Sequence, residues 1–373
     1  MTREVVIFSL INWESKLLHR SHMLAKYFDK KGFKVIYIQK ENISALADLN
    51  LKPNIKKYKR VMVVGLPALP YFKGKISPVY RLNDLIMTKQ LKKIFKLFDN
   101  PLIIIETPYW IRAVEKSRNS KGTVCYDISD DLSQFATNEK WKNKILEYED
   151  EAIKKSDCIF VTAEELEQKV KENKNTYLVK NGVDLDEFQE AKDVLSNKFK
   201  RPKCGFIGGI FEWVNLDLIE KCAKKYPEYD FILIGPTDRA EEIEKLCKND
   251  NIHYLGEKDK DQIGCYFAGL DIGLIPFVSE KTYPRLKTVN SNKVFQYCYF
   301  GYPVVSTEFQ QVKNLNGMIE VCKNEDEFVE KIGVVLQRDD DKERESRKNF
   351  AMENSWERRV DQIISAVYEQ ETS

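Results

Sequence analysis

Three carboxylates crowd a short segment, Tyr126-Asp127-Ile128-Ser129-Asp130-Asp131, which directly follows an apolar run. Like charges this close raise one another's pKa, and a carboxylate with a raised pKa suits general-base catalysis. Position in the segment makes Asp130 the predicted base and Asp131 the second candidate, with Asp127 in a structural role. The alternative is a helix N-cap, a role that at least one of the three is expected to take.

A second set of residues has the chemistry of a diphosphate site. Gly208 and Gly209 follow the apolar run Cys204–Ile207, and glycines after a strand let the backbone approach a phosphate closely. Lys293 falls in the first turn of a predicted helix, with Gln296 three residues on and on the same face. An ammonium at a helix N-terminus binds phosphate, and an amide one turn deeper reaches a ribose or phosphate oxygen. A tight turn without a ligand and a solvated lysine are the alternatives.

The first apolar run is followed by Trp13, His19, Arg20 and His22. Arg20 could hold a phosphate by bidentate hydrogen bonds, and Trp13 and His19 could contact an acceptor molecule. The two histidines have helical i, i+3 spacing, but the sequence offers too few further ligands beside them to predict a metal site.

These residues lie close to predicted strands. Apolar runs of strand length alternate with helix-period segments, which is typical of parallel sheets covered by helices on both faces. The runs predicted as strands are Val5–Leu10, Val35–Gln39, Val61–Leu66, Leu102–Glu106, Thr123–Asp127, Cys158–Thr162, Cys204–Ile207, Tyr229–Ile234, His253–Leu255, Ile272–Pro276 and Pro303–Ser306.

The pattern predicts two Rossmann-like, doubly wound α/β domains that face a cleft. The first covers residues 1–183, a polar linker covers 184–201, and the second domain covers 202–350. Residues 351–373 are predicted to hold a helix that packs back on the first domain. In such sheets, ligands bind at the carboxyl ends of the strands.

Composition narrows the class of protein. With 43% hydrophobic and 32% charged residues among 373, the chain has enough apolar side chains for two cores. No signal peptide and no apolar run of the roughly 20 residues that span a bilayer is found. Eight scattered cysteines indicate reduced thiols, as in the cytoplasm.

Charge is distributed unevenly along the chain. The first 100 residues carry 20 Lys and Arg against 7 Asp and Glu, a net charge of +13. This asymmetry favours an anionic partner, with a solvated basic face as the alternative. Nucleic acid is not the predicted partner, because no recognised binding motif accompanies the basic residues.

In order and spacing, several segments together resemble the GT-B glycosyltransferases, specifically the bacterial branch of the teichuronic-acid-type transferases and the xanthan glucuronosyltransferase. The segments are Trp13 with Arg20, Tyr126–Asp131, Cys158–Glu164, Asn181–Asp184, Ile207–Trp213, Leu233–Pro236, Asn251–Gly256, Asp271–Phe277, Ser291–Tyr297, Gly301–Thr307 and Ser355–Glu357.

The resemblance implies transfer of a sugar from a nucleotide sugar, with UDP as the expected carrier, GDP still open, and neither a metal nor another cofactor required. The implied donor-binding residues are Gly208, Gly209, Gly235, Leu255, Gly256, Lys293 and Gln296. Family members often carry glutamate at the position of Gln296, and many retaining members carry another at that of Thr288. Both departures favour an inverting mechanism, in which an aspartate of the N-terminal half deprotonates the acceptor hydroxyl.

The basic N-terminal part also contains apolar residues beside lysines, a combination that binds anionic lipid. The residues predicted to face a membrane are Leu69, Phe72, Lys73, Lys75, Lys92 and Lys93. We therefore predict a cytoplasmic enzyme, peripheral on the inner face of the cell membrane, that acts on a lipid-linked saccharide acceptor in cell-surface polysaccharide biosynthesis.

Two other functions stay open. A GT-B-like epimerase would isomerise or hydrolyse the nucleotide sugar without an acceptor, and a degenerate GT-B protein would scaffold a polysaccharide assembly complex. A NAD-dependent oxidoreductase is a poor match, because no GxGxxG follows the first strand.

Overall fold

In the computed structural model, the described residues are 3–15, 19–42, 53–68, 79–119, 121–170, 175–315 and 317–368. The chain forms two compact units. The first comprises Met1–Lys180 with Arg359–Ser373, and the second comprises Asn181–Arg358. The chain thus enters the second unit just before the predicted boundary at 183 and returns to the first in its last helix.

Strands and helices alternate along the first unit. In order, they are β1 (Glu4–Ser9), α1 (Arg20–Lys30), β2 (Lys34–Asn42), β3 (Asn54–Tyr58), β4 (Val61–Ala68), α2 (Val79–Phe95), β5 (Leu102–Ile105), α3 (Ile111–Glu115), β6 (Thr123–Ile128), α4 (Glu139–Lys155), β7 (Cys158–Val161), α5 (Glu164–Glu167) and β8 (Thr176–Leu178).

The strands of the first unit form one sheet in the order β3-β4-β2-β1-β5-β6-β7-β8. Every pairing is parallel except that of β3 with β4. The order reverses between β1 and β5, which is where open α/β sheets bind ligands. Because Phe8 pairs with Ile105 and Ile105 with Tyr126, the next residues of these strands, Ser9, Glu106 and Asp127, share one row.

The second unit repeats the alternation. Its elements are α6 (Leu185–Phe188), β9 (Lys203–Ile207), α7 (Leu216–Lys225), β10 (Asp230–Ile234), α8 (Ala240–Leu246), β11 (Ile252–Tyr254), α9 (Lys260–Phe267), β12 (Ile272–Ile275), α10 (Asn292–Tyr299), β13 (Val304–Thr307), β14 (Glu320–Cys322), α11 (Glu325–Arg338), α12 (Asp341–Glu353) and the start of α13 (Trp356–Tyr368).

The sheet of the second unit has the order β11-β10-β9-β12-β13-β14, and all its pairings are parallel. Its order reverses between β9 and β12. All residues of β9, β10 and β12 are buried, as expected of strands covered on both faces. The carboxyl ends of β9 and β12 therefore mark the expected ligand site of this unit.

Residues 184–201, predicted to be a linker, instead pack into the second unit. The ring of Phe188 in α6 lies 5.4 Å from that of Phe267 and 5.2 Å from that of Phe300, measured between centroids. Leu195 and Phe199 are buried in the same core. The linker prediction is wrong because these few apolar side chains are hidden among charged residues in the sequence.

The C-terminal segment contains two helices, where the sequence predicted one. Val183 pairs with Ser355 between α12 and α13, which fixes the point where α13 begins. Further along α13, Asp361 forms an ion pair with Lys31 of α1 at 2.8 Å, and both residues belong to the first unit. No helix in the described part of the chain is long and apolar enough to cross a bilayer.

Candidate active site

In the second unit, the loops that follow β9 and β10 touch at two glycines, a close contact that we call the glycine crossing. Gly208 and Gly235 have φ values of 150° and 143°, and a Cβ on Gly235 would lie 2.0 Å from the Gly208 carbonyl oxygen. Only glycine therefore fits at position 235. The crossing follows the carboxyl end of β9, next to the point where the strand order reverses.

Lys293 reaches from the first turn of α10 to this crossing. A Cβ on Gly208 would lie 2.4 Å from the Lys293 Nζ, so the absence of a side chain at Gly208 makes room for the lysine. One helical turn on, the buried Tyr297 hydroxyl accepts a hydrogen bond from Ile207 N at 3.1 Å and donates to the Gly205 carbonyl at 3.0 Å. Tyr297 thus fixes α10 against β9 and holds Lys293 over Gly208.

The Lys293 ammonium has no carboxylate partner among the residues that the structure describes, although its Nζ lies 5.1 Å from the centre of the Phe206 ring. Burial lowers the pKa of Lys293 to about 8. A desolvated cation without a counter-charge is costly, and a bound anion would remove that cost. Lys293 and the glycine crossing therefore have the electrostatics of an anion site.

The remaining predicted donor residues lie around the crossing. Gly235 N donates to the Gly256 carbonyl at 3.1 Å, which brings the loop after β11, with Leu255, beside the loop after β10. Gly209 follows Gly208 directly. Gln296 is half-buried on α10 and makes no side-chain hydrogen bond to a described residue.

The helix that packs against Gly208 is not the one expected from the sequence, where the helix after the glycines was predicted to do so. The glycine turn does not lead directly into α7, which begins only at Leu216 with Asn215 as its N-cap. The intervening loop is tied to the end of β12 by a bridge between Val214 and Phe277. The first turn of α10, rather than that of α7, is therefore packed against Gly208.

In the first unit, Arg20 and Asp127 form a bidentate ion pair. Arg20 Nε donates to Asp127 Oδ2 at 2.7 Å and Nη2 donates to Oδ1 at 2.9 Å, with both side chains buried. A third nitrogen, Nη1, donates to the Lys180 carbonyl at 3.4 Å. The guanidinium is thus committed within the protein, and the prediction that Arg20 clamps a phosphate is wrong in this geometry.

Asp131 is likewise committed to neighbours. Its Oδ1 accepts from Lys169 Nζ at 2.7 Å and from Ser133 N at 3.1 Å, the N-cap bond of a short helical turn. Burial acts to raise the pKa of Asp131, but the hydrogen bonds from Lys169, Ser133 and Gln134 outweigh it and lower the pKa. A carboxylate with a lowered pKa is a weak base, so this geometry does not favour Asp131 as the catalytic base.

Two of the three carboxylates in the Asp127–Asp131 segment have separate cationic partners, Arg20 and Lys169, which offset the repulsion expected from the sequence. Asp130 lies in the turn after β6 and stays partly exposed. The structure leaves Asp130 as a candidate but gives no sign of the crowding from which a base was predicted.

Trp13 belongs to an aromatic cluster. Its ring centroid lies 5.4 Å from that of His22, 5.0 Å from Tyr37 and 5.8 Å from Tyr58. His22 Nδ1 accepts from His19 N at 3.1 Å, so its Nε2 carries the proton that faces the Asn12 carbonyl at 3.3 Å. His19 is half-buried at the start of α1, and burial lowers its pKa.

Glu106, which the sequence analysis passed over, follows β5 where the strand order of the first unit reverses. Burial raises the pKa of Glu106 to about 7 and the charge of Asp127 acts in the same direction, against hydrogen bonds with Ser9 and Ser21. The only hint in the sequence is an acidic residue directly after the apolar run Leu102–Ile105.

Part of the sequence is similar to known proteins. Residues 201–338 match the family of glycosyl transferases group 1. A protein of Bacillus subtilis (strain 168), described as the teichuronic acid biosynthesis glycosyltransferase TuaH, is 24% identical over 220 residues. That match covers 55% of this chain and 55% of the relative, so the aligned part spans about half the relative's length.

Solved structures match almost the whole chain. Sucrose-phosphate synthase from Thermosynechococcus elongatus is 13% identical with a TM-score of 0.69, covering 99% of this chain and 98% of that one. A UDP-forming α,α-trehalose-phosphate synthase from Burkholderia xenovorans, in complex with glucose-6-phosphate, is 12% identical with a TM-score of 0.72, covering 98% and 99%. A trehalose-6-phosphate structure from E. coli, bound with UDP-2-fluoro glucose, is 10% identical with a TM-score of 0.70, covering 97% and 98%.

This chain has the GT-B fold. At identities this low the solved structures show the fold alone, and residues 201–338 of the second unit are similar to the glycosyl transferases group 1. The predicted GT-B resemblance and the two Rossmann-like sheets are thereby confirmed.

In this GT-B protein, the residue at one departure from the family pattern is engaged locally. Thr288 is buried, and its hydroxyl donates to the Arg285 carbonyl at 3.2 Å. Thr288 therefore supplies no acidic group. Gln296, at the other departure, offers an amide rather than a carboxylate.

The predicted membrane-facing residues divide into two groups. Leu69, Phe72, Lys73 and Lys75 lie outside the described residues. Lys92 and Lys93 are exposed on α2. The exposed residues of α2, together with Lys96 directly after the helix, form what we call the α2 face. It consists of Leu82, Leu85, Lys89, Lys92, Lys93 and Lys96.

Proposed function

We propose that this GT-B protein is a glycosyltransferase that moves a sugar from a nucleotide diphosphate donor, with UDP as the carrier. The observation that carries the proposal is the Lys293 ammonium, held over Gly208 without a carboxylate partner among the described residues. The negative charge of a diphosphate leaving group would balance the positive charge of this ammonium.

Lys293 and the glycine crossing would together stabilise the charge that develops on the leaving diphosphate. Main-chain N–H groups at a glycine turn and an ammonium nearby supply this without a metal, so we propose that the reaction needs none. The nucleobase would lie near Gly235, Leu255 and Gly256. Two observations support this arrangement: the group 1 match includes all of these residues, and the E. coli structure of the same fold holds a UDP-sugar analogue.

For the acceptor, we propose a lipid-linked or other saccharide used in cell-surface polysaccharide biosynthesis. The name of the TuaH relative, with its reference to teichuronic acid biosynthesis, supports this class. The positions of Gln296 and Thr288 favour inversion, because neither offers the carboxylate found in many retaining relatives.

The α2 face supports a location at the inner, anionic surface of the cell membrane. Leu82 is 46% exposed and Leu85 63% exposed. Three exposed lysines follow them along the same helix, and Lys96 comes directly after its end. Apolar side chains beside lysines attach a protein to anionic headgroups, where a lipid-linked acceptor would be found.

The donor site is tested by the thermal shift of wild type and Lys293→Ala with UDP, GDP, TDP and CMP. A ligand at 100 times its Kd stabilises a protein by about 2.7 kcal/mol. We expect one diphosphate, UDP, to stabilise wild type and to lose that effect in Lys293→Ala. Lys224→Ala, which removes an exposed lysine of α7, serves as the matched control and should respond as wild type does.

The pH dependence gives a second measurement. The pKa of Lys293 is about 8, so the charged form that binds the diphosphate is lost as the pH rises through 8. The UDP response should therefore weaken between pH 7 and pH 9 in wild type. If no nucleotide stabilised wild type at any pH, the donor site would be refuted and the scaffold function would be favoured.

A further inference from the structure

Glu106 sits in a row of polar residues at the carboxyl ends of neighbouring strands. Phe8 of β1 pairs with Ile105 of β5, so Ser9 and Glu106 are the next residues in register, and Asp127 of β6 follows in the same row. This row lies at β1/β5, where the strand order of the first unit reverses. A ligand of this unit is expected at this place.

The surroundings of Glu106 can hydrogen-bond either protonation state of its carboxyl group. Ser9 and Ser21 lie close enough to lower the pKa of Glu106 as hydrogen-bonding neighbours, and their hydroxyl oxygens lie 3.2 Å apart. Ser21 also contacts the Tyr37 hydroxyl at 3.0 Å, and Tyr37 donates to the Ile11 carbonyl at 2.9 Å. Each serine can turn its hydrogen towards a carboxylate or away from a carboxylic acid, so the proton can come and go without leaving a buried polar group unpaired.

The charged groups that act on Glu106 are Asp127 and Arg20, which form the bidentate ion pair with each other. The Asp127 charge raises the pKa of Glu106 and the Arg20 charge lowers it. Burial and the nearby charge of Arg20 lower the pKa of Arg359 in α13. Glu106, by contrast, faces neutral hydroxyl groups of β1, α1 and β2, and it keeps part of its surface exposed.

We propose that Glu106 is the catalytic base that takes the proton from the acceptor hydroxyl. The proposal rests on the glycosyl transfer proposed above, and it assigns the base to a residue outside the Asp127–Asp131 segment. The acceptor oxygen forms a bond to the anomeric carbon of the donor while the bond from that carbon to the phosphate oxygen breaks. The electron pair leaves with the nucleoside diphosphate, and the proton passes to the Glu106 carboxylate and then to solvent.

The choice of Glu106 over Asp131 follows from their environments, and the variants described below distinguish Glu106 from Asp130. Asp131 accepts hydrogen bonds from a lysine, a serine and a main-chain N–H, which stabilise its charge and weaken it as a base. Among the described residues, no lysine or arginine donates a hydrogen bond to Glu106, although the charge of Arg20 acts to lower its pKa. The pKa of about 7 leaves Glu106 able both to take and to release a proton at neutral pH.

The test uses the full chain and measures release of UDP from UDP-glucose, UDP-glucuronic acid and UDP-N-acetylglucosamine, with octyl glycosides and water as acceptors, from pH 5.5 to 9. We expect the wild-type rate to rise with pH through an acid limb near 7. Glu106→Gln should lower kcat about 100-fold or more and remove the limb, while the thermal shift with UDP stays unchanged. Glu139→Gln, at an 81% exposed glutamate of α4, is the matched control and should keep the wild-type rate.

Each other outcome has a defined meaning. A Glu106→Gln protein with the wild-type rate and limb would overturn the proposal, as would loss of the limb in Asp130→Asn alone. If wild type released UDP from no donor, both the transfer function and this inference would be rejected. If Glu106→Gln does not fold, Glu106→Asp is the variant to measure. Its shorter side chain places the base farther from the acceptor, so we expect a rate at least about 10-fold lower with the acid limb still present. An unchanged rate would refute the role.

Discussion

Arg20 and Lys293 carry the same charge in contrasting surroundings. Arg20 lies in the core of the first unit, where Asp127 and the Lys180 carbonyl take up its guanidinium. Lys293 lies over a glycine turn and has no carboxylate partner among the described residues of the second unit. A cation near a strand end is thus evidence for an anionic ligand only when the fold provides no carboxylate to pair with it.

This contrast predicts a structural role for Arg20. Removal of one partner of a buried pair leaves an uncompensated charge, which costs about 3–5 kcal/mol. Arg20→Ala and Asp127→Asn are each expected to lower the free energy of unfolding by about that amount, measured by urea denaturation, without abolishing the UDP thermal shift of the folded fraction. Lys30→Ala, at an exposed position of the same helix, serves as control. A loss below about 1 kcal/mol would show that the pair is not buried in solution.

Glu106 and Asp131 show why the candidate base could not be predicted from the sequence. Three aspartates in one segment suggested mutual repulsion, but the fold gives Asp127 and Asp131 cationic partners that lie far away in the chain. Glu106 stands alone in the sequence, and its hydroxyl neighbours come from β1 and α1. The pKa of a carboxyl depends on such contacts between distant residues, which no local pattern records.

At the scale of elements, the sequence predicted the central strands well, because strands buried on both faces read as continuous apolar runs. It missed the edge strands β3, β8 and β14. All residues of β3 except Tyr58 are exposed, so its sequence has no apolar run to detect. For residues 184–201, the sequence predicted a linker where the structure has a buried segment, because the buried Phe188, Leu195 and Phe199 are separated by charged residues.

The residues predicted to bind a diphosphate carry local marks, namely glycines after strands and a lysine in the first turn of a helix, and the structure brings Gly208, Gly235 and Lys293 together. What the sequence did not show is why α10 lies where it does. Gly273 lacks a side chain, and a Cβ there would lie 2.3 Å from the Tyr297 ring, so β12 admits the tyrosine that anchors α10. The close approach of two elements thus depends on a pair of residues far apart in the sequence, here Gly273 and Tyr297, which no local pattern reveals.

The glycine crossing gives a prediction at this scale. Gly235→Ala would place a Cβ against the Gly208 carbonyl and also requires a positive φ, so the two loops must separate. We expect a loss of more than about 2 kcal/mol in unfolding free energy, together with loss of the UDP thermal shift. Gly256→Ala is the control, because its φ is also positive but no atom lies within 4 Å of the added Cβ; it should cost about 1 kcal/mol. Equal losses in the two variants would argue against the close crossing.

At the scale of the whole molecule, charge is segregated along the chain. The first 100 residues carry a net charge of +13, within a chain whose total is only +2. The α2 face gathers four of these lysines, three on α2 and Lys96 directly after it, along with the exposed Leu82 and Leu85. Such a face suits contact with an anionic lipid surface, because the lysines meet the headgroups and the leucines leave water. In water alone, exposed leucines bury no apolar area.

The last prediction concerns this α2 face. Each lysine near an anionic bilayer contributes about 1 kcal/mol, so reversal of two charges in Lys92→Glu/Lys93→Glu should lower binding to phosphatidylglycerol vesicles roughly 30-fold or more. Sedimentation with vesicles measures this, and the remaining binding should fall as salt rises, because screening weakens surface attraction. Lys154→Glu/Lys155→Glu changes two exposed lysines of α4 in the same unit by the same total charge. Equal losses in the two variants would mean that net charge, not the α2 face, binds the lipid, and no loss in either would rule out electrostatic attachment.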